Sequence, residues 1–122
     1  MRPLNIRERQ VADVTVLELA GQLVADEDEA PFKDRVDELI GAGRTKLLVN
    51  LGQVARLDSG SMGVLVAKYA SLRRRGGDLK LVALSERARR VLTTTRLLNV
   101  FEVFESEDDA LGSFAKTAQH VA

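Results

Sequence analysis

The spacing of apolar residues divides the chain into segments with two alternating periods. LNIRER (4–9) and VTVLELA (14–20) carry branched apolar residues at strand spacing, and the short QVAD between them suits a hairpin. Gly21 closes the second strand. From 27 to 42, Phe32, Val36, Leu39 and Ile40 recur at helical spacing among acids and bases. Pro31 falls in the first turn, where no helical N–H partner is lost, and GAG stops the helix. KLLVNL (46–51) is an unbroken apolar run between Thr and Gly, the pattern of a buried central strand. GQVARLDSGSMG (52–63) follows, and a helix begins inside it. Met62, Leu65, Val66, Tyr69 and Leu72 mark one face of that helix, which ends at RRRGG, with Gly76 and Gly77 as its stop. LKLVAL (79–84) is a second buried strand. SERARRVLTTT (85–95) reads as a short helix with Val91 and Leu92 inward, and VFEVF (100–104) as a strand. SEDDALGSFAKTAQ (106–119) opens with a cap and an acidic first turn and carries a stripe of Leu111, Phe114, Ala115 and Ala118.

The predicted order is therefore β-β-α-β-α-β-α-β-α. Strands alternating with helices imply right-handed parallel crossovers. The expected fold is α/β: a small mixed sheet with one N-terminal antiparallel hairpin, a mainly parallel remainder and packed helices. The length of 122 residues suits one domain, and 45% hydrophobic residues supply a continuous core. Balanced charge, with 18 basic and 18 acidic residues, argues against a direct nucleic-acid footprint. The absence of cysteine excludes disulfides and thiolate metal sites and fits a reducing cytoplasm. No apolar run reaches the roughly 20 residues that span a bilayer, and the N-terminal MRPLNIRERQ lacks a signal-peptide apolar segment. No metal or cofactor is expected.

The candidate chemistry sits in DSGSMG (58–63). Asp58 and Ser59 are both good N-cap types, and Gly60 and Gly63 permit close backbone approach. A helix N-terminus leaves N–H groups unpaired and carries partial positive charge. A hydroxyl there is exposed, and a phosphate on it would add about −1.5 to −2 charges that the helix end could accept. The consequence would fall on a partner docked over the turn. From spacing alone, a plain helix cap is the commoner reading. Three enzymatic or signalling rivals lack parts. A hydrolase elbow needs Gly-x-Ser-x-Gly, but Ser59 occupies the first Gly position, and His120, in the terminal segment, is the only histidine. No phosphate-binding Gly-x-x-x-x-Gly-Lys-Ser/Thr string exists. A receiver-type phosphoacceptor Asp58 would need an acidic pair at an earlier strand end, where this chain has RER and ELAGQL. The chain is not expected to be an enzyme.

The stretch LVNLGQVARLDSGSMGVLVAKYASLRRRGGDLKLVAL resembles the core of a STAS domain of the kind found in bacterial anti-sigma-factor antagonists. That family pattern is a buried strand, a short loop, Asp-Ser-Ser/Thr-Gly-Leu/Met-Gly, a helix, a Gly-Gly turn and another buried strand. VTVLELAGQL and VLTTTRLLNVFEVFESEDDAL are similar to its flanking elements. The resemblance covers nearly the whole chain and implies one STAS domain over 1–122, with a core at about 4–117. It places the phosphorylatable serine at Ser59, with Ser61 a minor alternative, and the partner-binding turn at Asp58, Ser59, Gly60, Ser61, Met62 and Gly63. It implies partner switching in transcription regulation, signalling and stress response. The unphosphorylated protein binds an anti-sigma factor that is a serine kinase of the histidine-kinase-like ATPase type, which releases a sigma factor. Phosphorylation breaks that complex, and a serine phosphatase resets it. One departure stands out: relatives have Ser/Thr then Gly after the acceptor, and this chain has Gly60 then Ser61. That swap supports an alternative, a phosphorylation-independent STAS scaffold or interaction module.

Other charged groups have simpler readings. Arg73, Arg74 and Arg75 favour the negative end of their helix dipole. Arg87, Arg89 and Arg90 are read as solvent-facing, with a partner or phosphate contact as the alternative. Asp26, Glu27, Asp28 and Glu29 suit the start of the next helix or a basic partner surface.

Overall fold

The computed structural model describes residues 4–24 and 29–119, so the acids at 26–28 and His120 lie outside the described residues. Nine elements follow the predicted order: β1 (Asn5–Val11), β2 (Val14–Leu23), α1 (Glu29–Gly41), β3 (Lys46–Leu57), α2 (Ser59–Arg74), β4 (Asp78–Val82), α3 (Glu86–Thr94), β5 (Val103–Phe104) and α4 (Glu107–Gln119). The strands lie side by side in the order β1-β2-β3-β4-β5. The β1–β2 pair is antiparallel, and every later pair is parallel. The hairpin turn is tighter than QVAD. Both strands run up to Val11 and Val14, and Ala12 takes the left-handed backbone, with φ 55°, that a two-residue turn requires.

The two faces of the sheet are covered unequally. One face packs Leu17, Leu19, Leu47, Val49, Leu51, Leu79 and Leu81 against Phe32 and Val36 of α1, Met62, Leu65 and Leu72 of α2, and Ala88 and Leu92 of α3. The other face holds a smaller cluster, in which Val14, Val16, Leu48 and Val82 meet Ala110 and Phe114 of α4. Ala110, and not the expected Ala115, completes the α4 stripe; Ala115 is exposed. The last strand is also shorter than VFEVF. Only two residues pair, because Phe101 turns into the main core.

The largest departure from the sequence pattern is in β3. The strand does not stop at Leu51 but continues to Leu57, paired with the end of β2, which itself runs past Gly21 to Leu23. Between Glu18↔Asn50 and Ala20↔Gln53, β3 advances three residues while β2 advances two. Between Gly21↔Val54 and Gln22↔Arg56, it advances two while β2 advances one. Each extra residue is a bulge, which resets the inward–outward alternation. Core residues Leu51, Val54 and Leu57 therefore recur every third residue, a spacing that does not read as a strand. Gly52 lies at the first irregularity, where a Cβ would sit 2.9 Å from the Ala83 carbonyl oxygen.

The Gly-Gly stop of α2 divides two tasks. The Gly76 N–H donates to the Arg73 carbonyl at 3.1 Å and the Gly77 N–H to the Leu72 carbonyl at 2.8 Å, the paired bonds that satisfy a helix C-terminus. Gly76 supplies the left-handed φ of 79°. Gly77 supplies bare space, because a Cβ there would lie 2.0 Å from the Thr45 carbonyl oxygen.

α4 is seated on a charge. Lys80, in the middle of the fully buried β4, has 1% of its side chain exposed. Its ammonium donates to the Ser113 hydroxyl, lies 3.5 Å from Glu102 Oε2 and sits 4.5 Å from the centre of the Phe114 ring. These contacts offset the cost of removing a cation from water.

α1 is tied to the sheet edge by a two-pronged pair: Arg35 Nε and Nη2 donate to the two carboxylate oxygens of Glu8 at 2.6 and 2.7 Å. This hydrogen bonding holds the Glu8 carboxyl below its ordinary value of 4.5. Lys46 likewise lowers Asp13. Both groups bind protons more weakly folded than unfolded. Their contribution is present above the ordinary carboxylate range and is lost as pH falls through the depressed folded values. The thermal midpoint, scanned from about pH 6 to about pH 3 in low salt, is expected to fall on acidification, and Glu8→Gln is expected to flatten part of that fall. An unchanged slope in Glu8→Gln would remove Glu8 from the account.

Candidate functional site

The bulged end of β3 delivers the chain to the start of α2. Leu57 is buried, Asp58 has extended backbone with φ −122° and ψ 174°, and Ser59 is the first helical residue. The Ser61 N–H donates to Asp58 Oδ1 at 2.8 Å, and the Asp58 N–H donates to Ser61 Oγ at 3.3 Å. This reciprocal pair is a capping box. The Ser61 hydroxyl also donates to the Asp58 carbonyl at 2.9 Å. Asp58 is thus the cap, and Ser61 is its partner three residues on.

The two serines are therefore not equivalent. Ser61 is 1% exposed and its hydroxyl is engaged inside the turn. Ser59, Gly60 and Gly63 face solvent, and Asp58 is partly exposed. Met62, next in the turn, is fully buried in the core, not at an exposed edge. A molecule approaching the turn meets Asp58, Ser59, Gly60 and Gly63; it does not meet the side chains of Ser61 or Met62. The Gly60-Ser61 order also has a local consequence: it puts a hydroxyl at the third helical position, where it closes the capping box, and leaves only backbone at the position after Ser59.

α3 is docked beside this region. The Ser85 hydroxyl donates to the Val54 carbonyl at 3.2 Å and accepts from the Ala88 N–H at 3.1 Å, so one serine both caps α3 and ties it to the end of β3. Arg87, Arg89 and Arg90 are exposed as expected, and Arg90 lies 3.7 Å from Glu86. The Arg73–Arg75 group lies at the opposite end of α2, where Arg73 Nη1 donates to Asp78 Oδ2 at 3.3 Å. One exposed group escaped the sequence pattern. Arg56 neighbours buried Leu57 and pairs in register with Gln22, a position legible only once β3 is seen to continue.

Among the described residues, no group of three or more His, Cys, Asp or Glu side chains could hold a metal ion, and no helix is long and apolar enough to cross a membrane. The site consists of an exposed hydroxyl at a helix start, held by a part-buried capping box and followed by Gly60.

Comparison with known proteins places this geometry in a family. The STAS domain model matches residues 5–110. A candidate anti-sigma factor antagonist of Thermotoga neapolitana is 34% identical over 102 residues, which cover 83% of this chain and 89% of that protein. The anti-sigma-B factor antagonist of Listeria monocytogenes is 29% identical over 116 residues, covering 92% of this chain and 96% of its own length. The crystal structure of a candidate anti-sigma factor antagonist from Thermotoga maritima superposes with a TM-score of 0.83 at 29% identity, covering 90% of this chain and 94% of that one. The mixed sheet with its N-terminal antiparallel hairpin matches these neighbours, and this chain belongs to the STAS family.

Proposed function

We propose that this protein is an anti-sigma factor antagonist and not an enzyme: a cytoplasmic binding module that captures an anti-sigma factor and thereby releases a sigma factor. Its Ser59 is the switch. The partner is a serine kinase of the histidine-kinase-like ATPase type, which phosphorylates Ser59 and so ends the complex, and a serine phosphatase restores binding. The ATP and its metal belong to the kinase. The observation that carries this reading is the contrast between Ser59, exposed at the first helical position, and Ser61, buried with its hydroxyl engaged. A phosphate at Ser59 meets the positive end of α2 and disturbs no packed side chain. It changes the charge and shape of the surface a partner would cover.

The test is intact-mass measurement after incubation with ATP and lysate from the source cells. Wild type is expected to gain one phosphate, and Ser59→Ala is expected to gain none. Label retained in Ser59→Ala would move the site elsewhere. A wild-type protein that stays unlabelled yet still captures a partner from the same lysate would favour the phosphorylation-independent scaffold.

A further inference from the structure

The helices leave one part of the sheet bare. α4 covers β3, β4 and β5 on the second face, and its Glu107 pairs with Arg9 of β1. Among the described residues, no helix packs over the half of that face toward Leu23 and Leu57. It forms an open groove of about 460 Å³ lined by Asn5, Arg7, Glu18, Leu19, Ala20 and Gln53. Strand alternation extends it. Leu23 and Leu57 point into the main core, so their neighbours Gln22 and Arg56, opposite each other in register, lie on the groove side. The groove therefore ends where β3 passes into the Asp58–Ser59 turn.

Its chemistry is one-sided. Glu18 is engaged by Arg9 at 3.1 Å. Arg7 and Arg56 form no ion pair among the described residues. Between the two guanidiniums lie the carboxamides of Asn5 and Gln53, which suit peptide N–H and C=O groups. Among the described residues no aromatic ring lines the groove, so they offer no stacking platform for bases. From the Arg7 row to the Arg56 row is four residues along β2 and two strands across, on the order of 16 Å. An extended peptide covers that distance in about five residues.

We infer that this groove docks an extended acidic segment of a protein partner, with carboxylates on Arg7 and Arg56 and its backbone on Asn5 and Gln53. The occupant follows from charge complementarity: two unpaired guanidiniums in a polar groove attract carboxylates and repel basic segments. The inference rests on the proposed switch in one respect only. A phosphate on Ser59 would add negative charge at the end of the groove and oppose the same segment.

The experiment is an NMR titration of the isotope-labelled, unmodified protein with a ten-residue peptide bearing glutamate at alternate positions, and with its lysine counterpart. The glutamate peptide is expected to shift amides of β1, the end of β2 and residues 52–57, and the lysine peptide to shift none of these. Arg7→Glu with Arg56→Glu is expected to weaken the glutamate peptide about tenfold or more. Arg74→Glu with Arg75→Glu, at the far end of α2, is expected to leave binding unchanged. Thermal melts of both variants check that they fold. Shifts confined to the exposed arginines of α3, equal affinity in the Arg7/Arg56 variant, or no shifts at all would overturn the groove. Ser59→Asp separates the two readings: if it binds the peptide as wild type does while the Arg7/Arg56 variant does not, the groove stands and a charge at Ser59 does not act through it.

Discussion

Ser59→Asp is expected to lower affinity for the anti-sigma partner by on the order of 10- to 100-fold while leaving the fold as stable as wild type. The two halves of this expectation have different physical origins. The fold tolerates the substitution because Ser59 is exposed at the first position of α2. An acid there interacts favourably with the helix dipole, a gain of about 0.3–1 kcal/mol at low ionic strength, and meets no packed neighbour. The cap is untouched, since Asp58 and Ser61 satisfy each other without the Ser59 side chain. The partner does not tolerate it if it covers the turn. A like charge or a poorly solvated carboxylate in an interface opposes binding, and the expected loss corresponds to about 1.4–2.8 kcal/mol, since each ~1.4 kcal/mol is tenfold in affinity. Calorimetry with the captured partner, alongside thermal melts, checks both halves. Affinity within about twofold of wild type would place the switch elsewhere. A large loss of stability would show instead that Ser59 is part of the packing.

Gly77→Ala is expected to destabilise the domain by about 3 kcal/mol, at the upper end for overpacking. The added Cβ would lie 2.0 Å from the Thr45 carbonyl oxygen and 2.5 Å from the Thr45 Cβ. Neither neighbour can rotate away. Thr45 is joined to Gly77's successor by the Asp78 N–H, which donates to the Thr45 carbonyl at 2.9 Å, so the junction of α2, β3 and β4 must shift as a unit. For a domain of this size, that corresponds to a fall of about 10 °C in thermal midpoint. Gly76→Ala is the informative contrast. It meets open space but must hold φ near 79°, a cost of about 1 kcal/mol. Comparable losses in the two variants would mean that the close approach at Gly77 relaxes more easily than its geometry implies.

Much of this architecture was legible in the chain. The change of apolar period separated strands from helices in the right order, and DSGSMG marked a helix start with an exposed hydroxyl. The Gly-Gly pair marked a helix end, although its division into a left-handed turn and a bare approach needed Thr45 in place. The resemblance carried by residues 48–84 placed the chain in its family ahead of any coordinates. The main failure lies in β3. Residues 52–57 read as a loop because their core positions recur every third residue, and only the pairing with β2 shows that two bulges created that spacing. The swapped Gly60-Ser61 order read as a departure in the switch. The structure gives Ser61 a local task as the buried half of a capping box.

What the sequence determined by itself was local: the order of strands and helices, the Gly-Gly stop of α2, and which short polar motif lies at a helix N-terminus. These follow from side-chain periodicity and backbone preference within a few residues. What the tertiary structure decided was which surfaces are shared. Lys80 lies in an apolar strand, and its partners Ser113 and Phe114 reach it only because α4 packs there. Arg7 and Arg56 are 49 positions apart and come to one groove only because β2 lies between β1 and a strand that runs on past its apolar stretch. Contacts between distant segments depend on register and on which face each helix covers, and neither is encoded in any local window of the chain.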